Sequence, residues 1–360
     1  MTNDLTPFEL SLCWKEQKQQ GKPIVRFVND IIPSDAERIR SASLSQSLRL
    51  IDALQKVAED ESSGLTLHVL PGIWKAVSKC LNDAEPSIHP QGGCSQCGPS
   101  SVFIGFNLKQ SLVSSKLYWL LPSCLDLSVV LDLINRIFTA CAVVHEFLAS
   151  PVFLNSWHQI RDHVSMHPET LTLRMLSIDA TAFPAPRIKI YVRCRFNGQK
   201  GFDAWEQHLR FNDSVTCPGE FRSMCRDLWT SLTTNPDEWT MSRPDTGPKY
   251  CLILYDLTAS CSASSSSSLT ANGVNELRQN LSSKLYVMCQ EIPRPDSFII
   301  AQLFRHCSLA ADSSFLKCVD QLQPTSKFLL LLTCFCSGLL LPELSQRTSF
   351  PSKPFMAMAK

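Results

Sequence analysis

The chain has 360 residues, with 34 lysines and arginines against 33 aspartates and glutamates, for a formal net charge of +1. That balance offers no global field to nucleic acid or an anionic membrane, so an anion-binding surface has to be local. With 44% hydrophobic and 19% charged residues, the chain has apolar material for one large or two ordinary domains and too little charge for a disordered polymer. The longest apolar run, Phe328 to Leu341, falls short of the ~20 residues of a membrane-spanning helix and reads as a buried segment. The amino terminus has neither a basic nor an apolar signal region. The 16 cysteines, without regular spacing, therefore read as reduced thiols of a cytoplasmic protein.

In chain order, Pro7 to Leu12 and Ile24 to Val28 read as strands. A strand so near the start is expected to have more chain before it in the gene product. Ser34 with Glu37 forms a capping box, and Leu44, Leu48, Ile51, Leu54 and Ala58 follow on one helical face. Val102 to Leu108 and Lys116 to Leu121 are strands. Ser123 to Ser150 is a long helix with Val130, Ile134, Ile137, Cys141, Val144 and Leu148 in one stripe. Leu171 to Ile178 and Arg187 to Arg195 are strands, and Phe221, Met224, Leu228 and Leu232 mark another helix. Strands return at Tyr250 to Leu257 and Leu281 to Met288, around a flexible Ser-rich loop over 258–270. Strand pairs alternate with helices, and the short links between strands suit antiparallel hairpins rather than βαβ crossovers. The order points to one α+β sheet, closed or nearly so, with helices outside it. It disfavours a doubly wound nucleotide fold.

No Gly-rich nucleotide loop, HExxH, GxSxG or Asp-Asp pair is present. Cys94 and Cys97 have zinc-ligand spacing and His163 and His167 are four apart, but neither pair has a partner nearby in sequence. The plainer reading is a Gly-rich loop and a helix face, with no metal. The positive signal is a repeated strand pattern: Lys116-Leu117-Tyr118, Arg187-Ile188-Lys189-Ile190-Tyr191 and Lys284-Leu285-Tyr286 each place a cation two residues before a tyrosine. Residues i, i+2 and i+4 of a strand share a face, so Arg187, Lys189 and Tyr191 go one way and Ile188 and Ile190 the other. One such tripeptide is an ordinary amphipathic strand. Three, each in a separate strand pair, suggest a cavity lined by cations and phenols, suited to a diphosphate and to an allylic cation formed as it departs.

Thr6-Pro7-Phe8-Glu9-Leu10-Ser11, Val25-Arg26-Phe27, Ile104-Gly105-Phe106-Asn107-Leu108-Lys109 and the three cation–tyrosine strands resemble the fungal aromatic prenyltransferases of the dimethylallyltryptophan synthase family, in that family's order. The resemblance runs from about residue 6 to 310. It implies an antiparallel barrel of about ten strands ringed by α-helices in repeated ααββ units, expected to be incomplete at both ends. The barrel would be a single domain over 1–325, with 326–360 a divergent C-terminal segment. It further implies metal-independent transfer of a dimethylallyl group from dimethylallyl diphosphate, a co-substrate, to an indole or, from the sequence around Glu9, a polycyclic polyketide. Arg26, Lys116, Arg187, Lys189 and Lys284 fall where the family holds the diphosphate, and Tyr118, Tyr191 and Tyr286 where it shields the cation. Glu9 falls on the acidic residue that assists deprotonation of the acceptor, or is a partner for a neighbouring cation. The implied partners are small-molecule substrates, without nucleic acid or membrane, for a monomer or homodimer. The chain departs from the family in having no tyrosine after Tyr286. A truncated, inactive relative acting as a binding protein is the alternative.

Overall fold

In a computed structural model the described residues are 8–14, 24–31, 40–60, 62, 66–89, 94, 96–97, 100–109, 112–180, 186–195, 201–210, 219–232, 250–261, 277–288, 298–299, 301–302, 305, 331–337 and 355–359. The strands are β1 (Phe8–Trp14), β2 (Ile24–Asp30), β3 (Thr66–His68), β4 (Val102–Lys109), β5 (Leu112–Leu120), β6 (Leu171–Asp179), β7 (Arg187–Arg195), β8 (Tyr250–Cys261), β9 (Leu277–Met288), β10 (Leu331–Ser337) and β11 (Phe355–Ala359). The helices are α1 (Arg40–Glu59), α2 (Pro71–Ile88), α3 (Leu127–Val144), α4 (Glu146–Ala149), α5 (Pro151–Met166), α6 (Gly201–Arg210) and α7 (Gly219–Leu232).

All eleven strands join one sheet in the order β10-β9-β8-β7-β6-β5-β4-β2-β1-β11, with β3 set beside β5. Every pairing is antiparallel except β3 with β5. Ten strands at ~4.8 Å spacing would span roughly 40 Å if flat. Yet Cα atoms of the two end strands, β10 and β11, come within 8 Å of each other. The sheet therefore curls back on itself, although no ladder joins its ends among the described residues.

The helices cover one face. Leu117, Trp119, Leu176, Ile178, Ile188, Ile190, Ile253 and Tyr255 point into a core shared with α1, α2, α3 and α5. Side chains pin the layers: Trp74 of α2 donates to the carbonyl of Ile178 at 3.2 Å, Trp119 of β5 to Ser78 Oγ of α2 at 2.9 Å, and the Tyr255 hydroxyl to the His208 carbonyl of α6 at 3.1 Å. Full burial of such large side chains contributes ~1.5–3 kcal/mol each, enough to fix which face the helices take.

Several elements differ from expectation. The helix predicted over Ser123 to Ser150 stops at Val144 and restarts. His145 is extended (φ −153°, ψ 111°), and Ser150 (φ −68°, ψ 142°) precedes Pro151, which disfavours helical backbone in the residue before it. Ser150 Oγ then accepts the Phe153 N–H at 3.2 Å and starts α5, a helix not foreseen. Val144, close to this break, is half exposed rather than part of the stripe. By length and composition α3 is apolar enough to cross a membrane, but Leu133, Ile134, Ile137 and Cys141 are packed inside the protein. Helix α2 was also unforeseen; Pro71 sits in its first turn, where a missing N–H costs nothing, and Ile73, Trp74, Val77 and Leu81 face the core. The Ser34–Glu37 capping box lies outside the described residues. Strand β8 continues through Cys261, because Ser260 and Cys261 still pair with Arg278 and Leu277, so 258–261 are strand where a loop was expected; 262–270 lie outside the described residues. The segment 326–360, expected to be divergent and without regular structure in its tail, adds two strands: β10 pairs with β9 and β11 with β1. Apolar residues with free strand edges to join explain both.

Candidate active site

The alternation expected in β7 is present. Ile188, Ile190 and Val192 are fully buried on the helix side, so Arg187, Lys189 and Tyr191 take the opposite, concave face. Cross-strand register carries that face around the sheet, because directly paired residues project the same way. Lys116 is opposite Asp179, which is opposite Arg187; Lys189 is opposite Asp256; Lys284 and Tyr191 both pair with Leu254, two residues from Asp256. Arg26 is opposite Asn107, whose side-chain oxygen accepts from Lys116 Nζ at 3.4 Å. Glu9 pairs with Val28, Val28 with Gly105 and Gly105 with Lys116, so residue 9 stands in the same row.

The cations sit in a buried ionic network. Lys116, Lys189 and Lys284 are between 5% and 8% exposed. Lys189 Nζ donates to Asp179 Oδ2, and Arg187 approaches that oxygen at 3.6 Å. The Arg187 guanidinium also clasps Asp256, with Nε 2.9 Å from Oδ1, while Lys284 Nζ donates to Asp256 Oδ2 at 3.0 Å. Burial pulls Lys116 down to about 7, aided by the like charge of Lys189. Burial pulls Lys284 down to about 8, with Arg187 adding to the effect. Burial pushes both carboxyls up, but the surrounding cations outweigh it: Asp179 is held below the carboxylate range and Asp256 at about 2. The proposed cations outnumber these two carboxylates, and Arg193 continues the same face of β7. The lining is thus electron-poor and only partly neutralised.

Beside the cations, Tyr118, Tyr191 and Tyr286 form a row, with ring centroids 6.1 Å apart for the first pair and 6.0 Å for the second. Burial raises the Tyr191 and Tyr286 phenols above their ordinary range, so they stay neutral and offer π faces instead of phenolate charge. Lys116 Nζ already lies 5.6 Å from the Tyr118 ring centroid, a cation–π distance. Gly105 makes room for this corner. A Cβ at residue 105 would lie 2.7 Å from Lys116 Cε and 3.2 Å from Tyr118 Cε2, closer than carbon atoms pack.

The structure thus gathers Arg26, Lys116, Arg187, Lys189, Lys284 and the three tyrosines on one face, with Glu9 in register with them. Sequence reasoning missed Asp179, Asp256, Asn107 and the steric need for Gly105. Alternation along β6 and β8 gives a signal for the two aspartates: each lies among strand residues whose neighbours are apolar. The Cys94–Cys97 and His163–His167 pairs, expected to lack partners, both gain them. His89 and Cys124 join the first, and His208 joins the second. Burial holds His163 at about 4 and His208 at about 3, so both are neutral near pH 7.

A curled antiparallel sheet with helices on its convex face and cations and phenols on its concave face has the architecture of a prenyltransferase-type barrel, with a cation-rich inner face. The family model "Tryptophan dimethylallyltransferase" matches residues 1–311, and the chain belongs to this family of prenyltransferases. Several solved structures share the fold. AnaPT from Neosartorya fischeri is 15% identical with a TM-score of 0.57, over 92% of this chain and 78% of that one. The 5-dimethylallyltryptophan synthase from Streptomyces coelicolor is 13% identical with a TM-score of 0.56, over 100% and 82%. NotF, solved in complex with brevianamide F and DMSPP, is 12% identical with a TM-score of 0.59, over 95% and 82%. No curated protein matches the chain.

Proposed function

We propose that this enzyme transfers a dimethylallyl group from dimethylallyl diphosphate to an aromatic carbon of an indole or a polycyclic polyketide, in fungal secondary metabolism and without a metal. The observation that carries the reading is the shared face of β2, β5, β7 and β9, where Arg26, Lys116, Arg187, Lys189 and Lys284 adjoin the row of Tyr118, Tyr191 and Tyr286. Membership of the family and the structural likeness to NotF, solved with DMSPP, support the choice of prenyl donor.

In the proposed reaction the cationic side chains take the diphosphate by charge-assisted hydrogen bonds as its C–O bond breaks. Asp179 and Asp256 are already tied to lysine and arginine, so they hold the cations in place and are poorly arranged to hold magnesium. Each tyrosine face stabilises the allylic cation by ~0.5–2 kcal/mol and keeps water from it. The electron-rich ring attacks, and Glu9 takes up the proton released when aromaticity returns. The stretch Phe8 to Trp14 resembles the polyketide-acting relatives, and this resemblance is the ground for including a polyketide acceptor.

The test is incubation with dimethylallyl diphosphate and a panel of indoles and aromatic polyketides, in EDTA and without added magnesium, read by mass spectrometry. A product heavier by one dimethylallyl group is expected. Turnover abolished by EDTA and restored by magnesium would refute the metal-free reading, and no adduct with any acceptor would favour an inactive binding protein.

A further inference from the structure

We propose that His89, Cys94, Cys97 and Cys124 form a structural zinc site, separate from the cation-lined face. The four residues come from three places in the chain. His89 caps the C-terminal end of α2, Cys94 and Cys97 precede β4, and Cys124 follows β5. Their ligand atoms all lie within 4.8 Å of one another. Tetrahedral zinc, with Zn–S of ~2.3 Å and Zn–N of ~2.0 Å, has S–S edges of roughly 3.8 Å and N–S edges of roughly 3.5 Å. Cys97 Sγ and Cys124 Sγ are 3.3 Å apart, and His89 Nε2 is 3.2 Å from Cys124 Sγ. The sulfurs are too far apart for a disulfide, whose S–S bond is ~2.05 Å, and already near the zinc spacing. The two-residue gap between Cys94 and Cys97 closes in a turn, with the Cys97 N–H on the Cys94 carbonyl at 3.3 Å. That turn sets both sulfurs on one side, as in a zinc knuckle.

The surroundings of the histidine fit the same assignment. His89 Nδ1 lies 2.6 Å from Glu85 Oε1. Because a carboxylate only accepts, Nδ1 carries the proton and the Nε2 lone pair is left facing Cys124. A carboxylate that orients a histidine by its far nitrogen is the usual support of a zinc ligand. Glu85 is itself held by Arg40, with Arg40 Nε at 3.2 Å, and the Arg40 guanidinium donates to the carbonyls of Ser100 at 3.0 Å and Leu120 at 2.7 Å. The site thus joins the end of α2 to the start of β4 and the end of β5, tying a helix to the sheet it covers. Binding displaces the thiol protons and leaves Zn²⁺ four-coordinate and closed, with no open position for chemistry. The histidine trio His163, His167 and His208 is the rival: it offers three ligands instead of four and no thiolate.

The test starts from protein expressed in zinc-supplemented medium and purified without a metal-affinity step. Elemental analysis is expected to find about one zinc per chain, and Co²⁺ exchange is expected to give the visible absorption of tetrahedral cobalt–thiolate. Cys124→Ser and His89→Ala should lose the metal. Glu85→Gln, which keeps the ligands, should bind zinc ~10–100-fold more weakly in chelator competition. His208→Ala should keep it. A metal-free protein with all thiols titratable, a Cys97–Cys124 disulfide found by mass spectrometry, or zinc lost from His208→Ala and retained by Cys124→Ser would each overturn the assignment. The wild-type metal content and the Glu85→Gln affinity remain readable even if a ligand variant fails to fold, and neither depends on the prenyl-transfer reading.

Discussion

Binding of a diphosphate should draw protons into the protein, and Lys116→Met should remove most of that uptake. Lys116 rests at about 7 in the free protein because burial and the charge of Lys189 oppose its protonation, and Lys284 rests at about 8. A bound polyanion reverses the sign of the local field and returns both toward the ordinary lysine range. At pH 8 Lys116 is mostly and Lys284 partly unprotonated beforehand, so binding takes up about one proton or more, and less at pH 7. Without Lys116 the expected uptake falls by more than half at either pH. Calorimetric titration with a thiolodiphosphate analogue, in buffers of different ionisation enthalpy, reads the uptake directly. Affinity should accordingly fall above pH 8, by about tenfold per pH unit for each proton taken up. The same groups set the stability of the free protein with the opposite sense. Their native pKa values lie below the unfolded value of 10.5, so between about pH 7 and 9.5 the unfolded chain binds more protons and stability rises with pH. No proton uptake at pH 8, or equal uptake in wild type and Lys116→Met, would refute the electrostatic account of the cavity.

Ile190→Ala should lower stability by ~2–5 kcal/mol, measured by denaturant unfolding, because Ile190 is fully buried on the helix side. Lys189→Ala, one residue away, should mainly weaken diphosphate binding, by ~1.5–3 kcal/mol; a reversal of the two effects would invert the assigned faces of β7. Gly105→Ala should cost only ~1–3 kcal/mol of stability yet reduce diphosphate affinity, since the new Cβ displaces the Lys116 stem. An unchanged Kd would mean that Lys116 does not reach the anion. Glu9→Gln should slow aromatic transfer by ~10²–10⁴-fold while sparing hydrolysis of dimethylallyl diphosphate to the alcohol, because ionisation needs no base. Equal loss of adduct and alcohol would make Glu9 a partner for a cation instead.

What the sequence displayed and what it concealed divide along local and non-local lines. Arg187-x-Lys189-x-Tyr191 announces its face because strand alternation is a property of neighbours, and the burial of Ile188 and Ile190 follows from the same five residues. The three cation–tyrosine strands could be gathered only by assuming a common sheet, which the register of β5 to β9 supplies. Asp179 and Asp256 show only their face by alternation; their partners are on the adjacent strands and cannot be read locally. Cys94 and Cys97 were visible, whereas His89 and Cys124 come to them through the packing of α2 on the sheet. The break between α3 and α5 was the error that local rules could have prevented, since Ser150-Pro151 is a helix start written in two residues.

The clasp of Arg187 and Lys284 on Asp256, and of Lys189 on Asp179, has a bearing on the end of the catalytic cycle. Pyrophosphate held by unopposed buried cations would be trapped, since its departure would strand several like charges out of water. In the proposed reaction the two aspartates can re-engage those cations as the product leaves, which would ease its release. Replacing Asp256 with asparagine would therefore tighten the grip on the leaving group and make turnover slower, by lengthening its residence.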